Sequence, residues 1–371
     1  MSLDRILLSR FRNHRETAVE GTAQFNLLVG ENGAGKTNVL EAISLLAPGR
    51  GLRRAQLADV PAQDGDGGFA VSAALAMAQG EPVRLGTGVA AERPGRRLVQ
   101  VNGAQGSALS LAEWLSIGWL TPAMDRLFVE SAGARRRFLD RLVLAIEPAH
   151  AAHAARLETA LRERNRLLSD ERAPDPHWLD AIEVQLAEAG ALVGTARARL
   201  VARLEEALAL LPDAPFARPS LAYQPGGPLE AGALAIALRD GRARERAAQR
   251  TLTGPHRDEL AVTMAGKGQG KGQLAAECST GEQKAMLIAI TLAHSQLLET
   301  AENLGGENRP RLLLLDEVAA HLDPLRREAL FDRLREGSAQ VWLTGTEIAP
   351  FAAIAGEAAV WEVSAGTVRR I

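Results

Sequence analysis

"GENGAGKTNVLEAISLL" occupies residues 30–46 and fits the pattern G-x-x-x-x-G-K-[ST] from Gly30 to Thr37. Before it, "AQFNLLVG" sets Phe25, Leu27, Leu28 and Val29 together, which reads as a short buried strand. After it, Val39, Leu40, Ile43 and Leu46 share one helical face. Strand, glycine-rich turn and helix, in that order, form the setting of a phosphate-binding loop. Glycines let backbone N–H groups wrap an anion, and a helix N-terminus adds partial positive charge. The expected binding residues are Gly30, Asn32, Gly33, Gly35, Lys36, Thr37 and Asn38. Lys36 is placed to reach β- and γ-phosphates and Thr37 to ligate Mg²⁺. The bland alternative is a glycine-rich turn that happens to precede a helix.

A nucleotide site needs an acidic half, and "RPRLLLLDEVAAHLD" (309–323) offers one. Leu312 to Leu315 read as a parallel strand buried on both faces, ending in Asp316 and Glu317. Asp316 is expected to hold the metal's water shell and Glu317 to polarise an attacking water. Alone, the stretch would read as a core strand ending in two solvated acids. The two halves lie 280 residues apart, from Lys36 to Asp316. A compact GTPase does not need that gap; a nucleotide-binding head with a large insertion does.

The bulk numbers agree with that layout. The chain has 371 residues, too many for one ordinary core and enough for about two domains. Hydrophobic residues at 46% and charged residues at 24% fall in the globular range. The sequence has no membrane-length apolar run, and "MSLDRILLSRFRNHRE" is too charged for a signal peptide or anchor. A single cysteine, Cys278, excludes an internal disulfide framework and fits a reducing cytosol, so a cytoplasmic location is expected. The formal net charge of −2 leaves any DNA contact to local basic patches.

"CSTGEQKAMLIAITLAH" (278–294) resembles the signature motif of the ABC ATPases, with Ser279 and Gly281 at the start of an apolar helix. The resemblance implies that Ser279 and Gly281 face the γ-phosphate held by a second subunit, with Asp323 of "AAHLD" in the D-loop. Two ATPs would then lie sandwiched in a head-to-tail pair. Without its companions the stretch would read as an N-capped buried helix. Cys278 stands in the place of the signature leucine and reads as a small buried apolar residue.

Further stretches narrow the resemblance: "LLSRFRNHRE", "VQVNG", "WLTPAMDRLFVESAGARRRFLDRLV", "LAYQPGG" and "TLTGPHRDEL". Together they resemble the RecF family of ABC/SMC-like ATPases over almost the entire chain. The resemblance implies an α/β fold, an ABC-type P-loop ATPase head with an inserted, mainly helical arm. It implies ATP and Mg²⁺ as cofactors, an ATP-dependent homodimer and double-stranded DNA held near single-strand gaps. It also implies slow, DNA-dependent ATP hydrolysis. RecR and RecO are the implied partners, with RecA loading in gap repair and the SOS response as the indirect outcome. Thr280 and Glu282 depart from the ABC signature pattern, "WLTPAMDRL" has no Q-loop Gln (Asp125 is the candidate for that area), and Gly345, Thr346 and Glu347 stand where a switch His is often found. These departures predict a clamp or timer more than a motor.

The texture divides the chain into a first head part (1–113), a helical arm (114–250) and a second head part (251–371). "FAVSAALA", "VRLGTGVA" and "RRLVQVNG" predict a β-meander. Residues 178–211 predict a helix of about 50 Å that Gly190 and Gly194 could kink. "MAGKGQGKGQL" reads as a mobile loop. For DNA phosphates the candidates are Arg50, Arg53, Arg54, Arg135 and Arg136, with Lys267 and Lys271 as loose additions; Arg137 is expected to pack internally. His256 and Arg257 support either the nucleotide site or a DNA path. Against DNA stands the ordinary fate of a basic run, a solvated face or a partner of nearby acids. Two other functions compete: a transporter's nucleotide-binding subunit, and a scaffold in which ATP only ties two heads together. The large arginine-rich insertion argues against the first, and intact Lys36, Asp316 and Glu317 against the second.

Overall fold

The five residues of "FNLLV" are all buried, and in the computed structural model they form a central strand. The structure describes residues 2–77, 81–172, 174–212, 214–264, 272–303 and 309–371. In chain order the first elements are β1 (Ser2–Phe11), β2 (His14–Glu20), β3 (Phe25–Val29), α1 (Lys36–Ser44), β4 (Phe69–Ala76), β5 (Val83–Val89), β6 (Arg97–Val101), β7 (Ala104–Gln105) and β8 (Ser116–Leu120). Next come α2 (Ala132–Ile146), α3 (His150–Ser169), α4 (Pro176–Leu210), β9 (Pro219–Gln224), α5 (Ala231–Ala247), β10 (Glu259–Met264), β11 (Gln273–Leu274) and α6 (Thr280–Asn303). The chain ends with β12 (Arg311–Leu315), α7 (Pro324–Glu336), β13 (Gln340–Gly345), β14 (Ala358–Ser364) and β15 (Thr367–Arg370).

The chain divides into two compact units, one made of residues up to Met124 with Leu298–Ile371 and the other of Asp125–Leu297. The first holds two six-stranded sheets. One runs β15-β14-β3-β13-β12-β8, parallel except for the edge strand β15; the other, β2-β1-β4-β5-β6-β7, is antiparallel throughout. The expected meander is β4 to β6, widened by the N-terminal hairpin. A single core joins α1 (Val39, Leu40, Ile43) to residues of both sheets, including Ile6, Val71, Leu85, Leu312, Leu314 and Trp342. Each such side chain stabilises the unit by about 1.5–3 kcal/mol relative to exposure. Arg97 of β6 donates to the carbonyls of Leu45, Ala47 and Gly49, satisfying acceptors that the end of α1 leaves open.

The second unit packs α3, α4 and α5 around Leu157, Leu186, Val193, Leu234 and Leu238. Beside them lies the antiparallel sheet β11-β10-β9. Helix α4 runs as one helix through Gly190 and Gly194. These glycines serve close packing. A Cβ on Gly190 would lie 3.0 Å from Leu234, and one on Gly194 2.8 Å from Leu229.

Two expected boundaries move. Residues 116–120 are β8, which pairs in parallel with β12, so the first unit extends past 113. Residues 251–297 group with the second unit because β10 pairs with β9 and His294 donates to the Leu142 carbonyl. Most of "MAGKGQGKGQL", with Lys267 and Lys271, lies outside the described residues; its last two residues form β11. Among the described residues no helix is long and apolar enough to cross a membrane.

Candidate nucleotide-binding site

The loop between β3 and α1 requires its glycines. Gly30, Gly33 and Gly35 all have positive φ, at 155°, 82° and 117°. A Cβ on Gly30 would sit 2.1 Å from the Val363 carbonyl oxygen, and one on Gly35 2.7 Å from His14 Nε2. Gly35 precedes α1 with no side-chain cap, and the first turn carries no acid, so the positive end of the helix is open to an anion. Lys36 is almost fully buried. Its Nζ donates to the Gly30 carbonyl at 2.6 Å and the Glu31 carbonyl at 2.9 Å, folding the side chain back over the loop. Burial lowers the Lys36 pKa, and the Glu317 and Asp316 carboxylates oppose that shift.

The acidic half meets this loop directly. Asp316 Oδ1 accepts from Thr37 Oγ1 at 2.9 Å and from Thr344 Oγ1 at 2.8 Å. Burial raises the Asp316 pKa, while the two hydroxyls hold it down. Glu317 follows with φ of 53°, the left-handed region that a residue with a Cβ seldom adopts. Its N–H donates to Thr344 Oγ1 at 2.8 Å. Lys36, Thr37, Asp316 and Glu317 are thus brought together across 280 residues of sequence. The glycine cradle, the buried ammonium and the hydroxyl–carboxylate pair fit a nucleotide with its divalent cation.

Several supporting residues were not assigned roles from sequence. Asn13 Nδ2 donates to the Ala34 carbonyl at 2.9 Å, and Asn38 Nδ2 donates to Asn13 Oδ1 at 2.6 Å. His14, fully buried, lies 3.1 Å from the Gly35 carbonyl and 3.0 Å from Thr17 Oγ1, and burial lowers its pKa. These residues come from "FRNHRE", a family mark whose use is invisible until the β1–β2 turn lies under the loop. Thr344 follows three apolar residues of β13 and carries no local signal. Glu41, 1% exposed, is clasped by the Arg12 fork at 2.9 and 2.7 Å and by Arg53 at 2.9 Å.

The remaining expected residues have plainer surroundings. Ser279 is exposed, and it forms a reciprocal cap with Glu282, whose Oε2 accepts from Ser279 N at 2.9 Å and Oγ at 3.0 Å. The S-x-x-E spacing was the overlooked signal, and it gives Glu282 a use. Gly281 is exposed with open space around it, and Cys278 is buried. Asp125 lies 3.5 Å from Lys284. Asp323 caps α7 by accepting from Arg326 N at 2.9 Å. Arg50 and Arg54 are exposed. Arg53 is held by Asn38 and Glu41. Arg135 is engaged rather than available: its fork meets Glu259 at 2.6 and 2.7 Å. Arg136 donates to the Asp258 carbonyl at 2.7 Å. Arg137, expected inside, is exposed.

Comparison with known proteins agrees with this geometry. Residues 2–354 match the family described as the RecF/RecN/SMC N terminal domain. The DNA replication and repair protein RecF of Mesorhizobium japonicum is 47% identical over 380 residues, covering 99% of this chain and 97% of that protein. Its counterpart in Brucella suis is 46% identical over 384 residues, covering 100% and 97%. Among solved structures, the recombination mediator protein RecF of the RecFOR pathway, with ATPrS, superposes with a TM-score of 0.84 at 22% identity, covering 100% of this chain and 98% of that one. A Pyrococcus furiosus Smc head domain gives a TM-score of 0.54 at 16% identity, covering 100% and 96%. These two share the fold. The transporter reading is set aside: the chain belongs to the RecF family of DNA replication and repair proteins.

Proposed function

We propose that this protein is an ATP-dependent DNA clamp of the cytoplasm. It dimerises on ATP, binds duplex DNA near single-strand gaps, hydrolyses ATP slowly when DNA is present, and acts with RecO and RecR to help load RecA in gap repair and the SOS response. The observation that carries the reading is the convergence of Lys36, Thr37, Asp316 and Glu317 beside an uncapped helix start. Two related structures support it, those of the recombination mediator protein RecF with ATP and with ATPrS in the RecFOR pathway.

Within this reading, the backbone of Gly30–Thr37 and the Lys36 ammonium hold the β- and γ-phosphates. Asn32 and Asn38 line the loop. Thr37 and Asp316 would hold Mg²⁺, which would supply neutralising charge to the phosphates. For Thr37 to do so, its hydroxyl hydrogen must leave Asp316, with Thr344 keeping the carboxylate in place. Glu317 accepts a proton from the attacking water, and its left-handed backbone sets where the carboxylate starts. Ser279 and Gly281 of a second copy close on the γ-phosphate, and Asp323 belongs to the joining loop. For Ser279 this requires release from Glu282. Gly345, Thr346 and Glu347 supply no imidazole after β13, which fits slow turnover.

Replacing Glu317→Gln tests the assignment. Turnover should fall by about 10²-fold or more, with nucleotide binding retained and an ATP-bound dimer trapped. Turnover equal to the parent protein would remove Glu317 from this role.

A further inference from the structure

Three of the stretches that mark the family have no part in the nucleotide loop, and the second unit brings them together: "RRRFLD" (135–140), "LAYQPGG" (221–227) and "GPHRDEL" (254–260). Asp258 is fully buried. Its carboxylate accepts from Arg197 at 2.9 Å, from the Gly226 N–H at 2.8 Å and from the Tyr223 hydroxyl. Arg197 also donates to the Pro255 carbonyl at 2.8 Å and forks onto Asp140 at 2.8 Å through both nitrogens. Glu259 is taken by the Arg135 fork. Every acid in "HRDE" is therefore neutralised from within the unit.

The arginine that precedes them is not. Arg257 is exposed and its N–H donates to the Gly254 carbonyl at 2.9 Å, but among the described residues its side chain takes part in no hydrogen bond or ion pair, and the side chain of its charged neighbour Arg136 donates only to a main-chain carbonyl. Arg137, also exposed, points its guanidinium to the same turn as Arg136: both ends lie within 3.6 Å of where a Gly133 Cβ would stand. The first turn of α2 carries no acid. Nearby His256 donates through Nε2 to the Thr251 carbonyl, and burial, with the charges of Arg257 and Arg136, lowers its pKa against the opposing Thr251 bond. The positive charge here is borne by arginine alone. The backbone and Cβ of Arg257 are closely packed. A Cβ on Gly226 would lie 2.4 Å from its own, and the residues on either side are anchored through Pro255 and Asp258.

We propose that Arg257, together with Arg136 and Arg137, is a contact for the phosphates of duplex DNA. An open surface of guanidiniums, with no aromatic group for base stacking, suits backbone contacts that carry no sequence information. The inference rests on the DNA-binding part of the proposed function and replaces Arg135 with Arg257 as the contact in this unit.

The test is a titration of the full chain against a fluorescent blunt duplex at several salt concentrations, with Arg257→Ala, Arg257→Lys and Arg137→Ala compared to the parent. Thermal melting of each variant should match the parent, since neither side chain makes a bond. Arg257→Ala should bind the duplex several-fold more weakly and flatten the log–log salt slope by about 0.9 for each bound copy. Arg257→Lys should restore the slope, and ATP affinity without DNA should be unchanged. A parent protein that binds no duplex would overturn both the DNA reading and this site. A parent that binds, with Arg257→Ala equal to it in affinity and slope, would overturn this site alone. Loss of ATP affinity with DNA binding intact would assign the phosphate to the nucleotide and likewise overturn it.

Discussion

The nucleotide loop and the arm's buried ion network use charge in opposite ways. In the first unit, Lys36 is buried against main-chain carbonyls, and among the described residues no carboxylate is bonded to it; the Thr37 and Asp316 side chains bond to each other, and Asp316 also to the Thr344 hydroxyl. In the second unit, Arg164, 0% exposed, reaches Glu183 at 2.9 Å, Thr251 at 2.9 Å, the Leu238 carbonyl at 2.9 Å and the Glu245 carboxylate. Glu183 is further held by Arg242, and Glu245 by the N–H groups of Leu252 and Thr253. The loop keeps a cation whose bonds a ligand can replace. The arm saturates its charges and gains a fixed arrangement. One lesson follows: a buried charge marks a ligand site when its partners are few and exchangeable, and an architectural joint when they are complete.

The comparison breaks most visibly at Arg164. Arg164→Met leaves Glu183 and Glu245 buried without their cation, and removing one partner of such a pair costs about 3–5 kcal/mol. Urea unfolding should show that loss; a variant as stable as the parent would contradict the joint. Lys36→Ala should do the reverse. Turnover should fall by about 10²–10³-fold, as when one transition-state donor is removed, with the unfolding midpoint nearly unchanged. A large stability loss instead would place Lys36 with the architectural charges.

The third prediction concerns pH. His294 is fully buried, donates to the Leu142 carbonyl and sits near Arg141 and Arg203, and burial pushes its pKa down to about 4. Its unfolded value is the ordinary one near 6.5. Above that value both states are neutral and the residue adds no slope. Between about 6.5 and 4 the unfolded chain takes a proton that the folded chain refuses, so stability falls as pH falls, by up to about 3 kcal/mol. His294→Gln keeps an amide donor for Leu142 and should flatten stability in that window. An unchanged slope would assign it to other groups.

What was legible in the sequence was local. Gly30 to Thr37 declare themselves within eight residues, and "RLLLLDE" announces a buried strand ending in acids because a parallel strand must be apolar on both faces. What was illegible depends on partners that only the fold brings close. Arg164 and Glu245 are 81 residues apart, and Arg135 meets Glu259 across 124, so nothing in the run Arg135–Arg137 could show that its first arginine is paired internally. The packing role of Gly190 and Gly194 was illegible for the same reason. A glycine inside a helix reads as weakness until Leu234 and Leu229 are seen against it. Residues 251–297 looked like the returning head because the signature follows them, whereas the β9–β10 pairing holds them with the arm.

The central claim is that the loop holds ATP so that a second copy can close over it. Sedimentation velocity of the full chain with ADP, with ATP, and with ATP plus a gapped duplex tests it most directly. The account predicts a monomer with ADP, a dimer with ATP, and a larger dimer fraction with the gapped duplex. A monomer under all three conditions would contradict it.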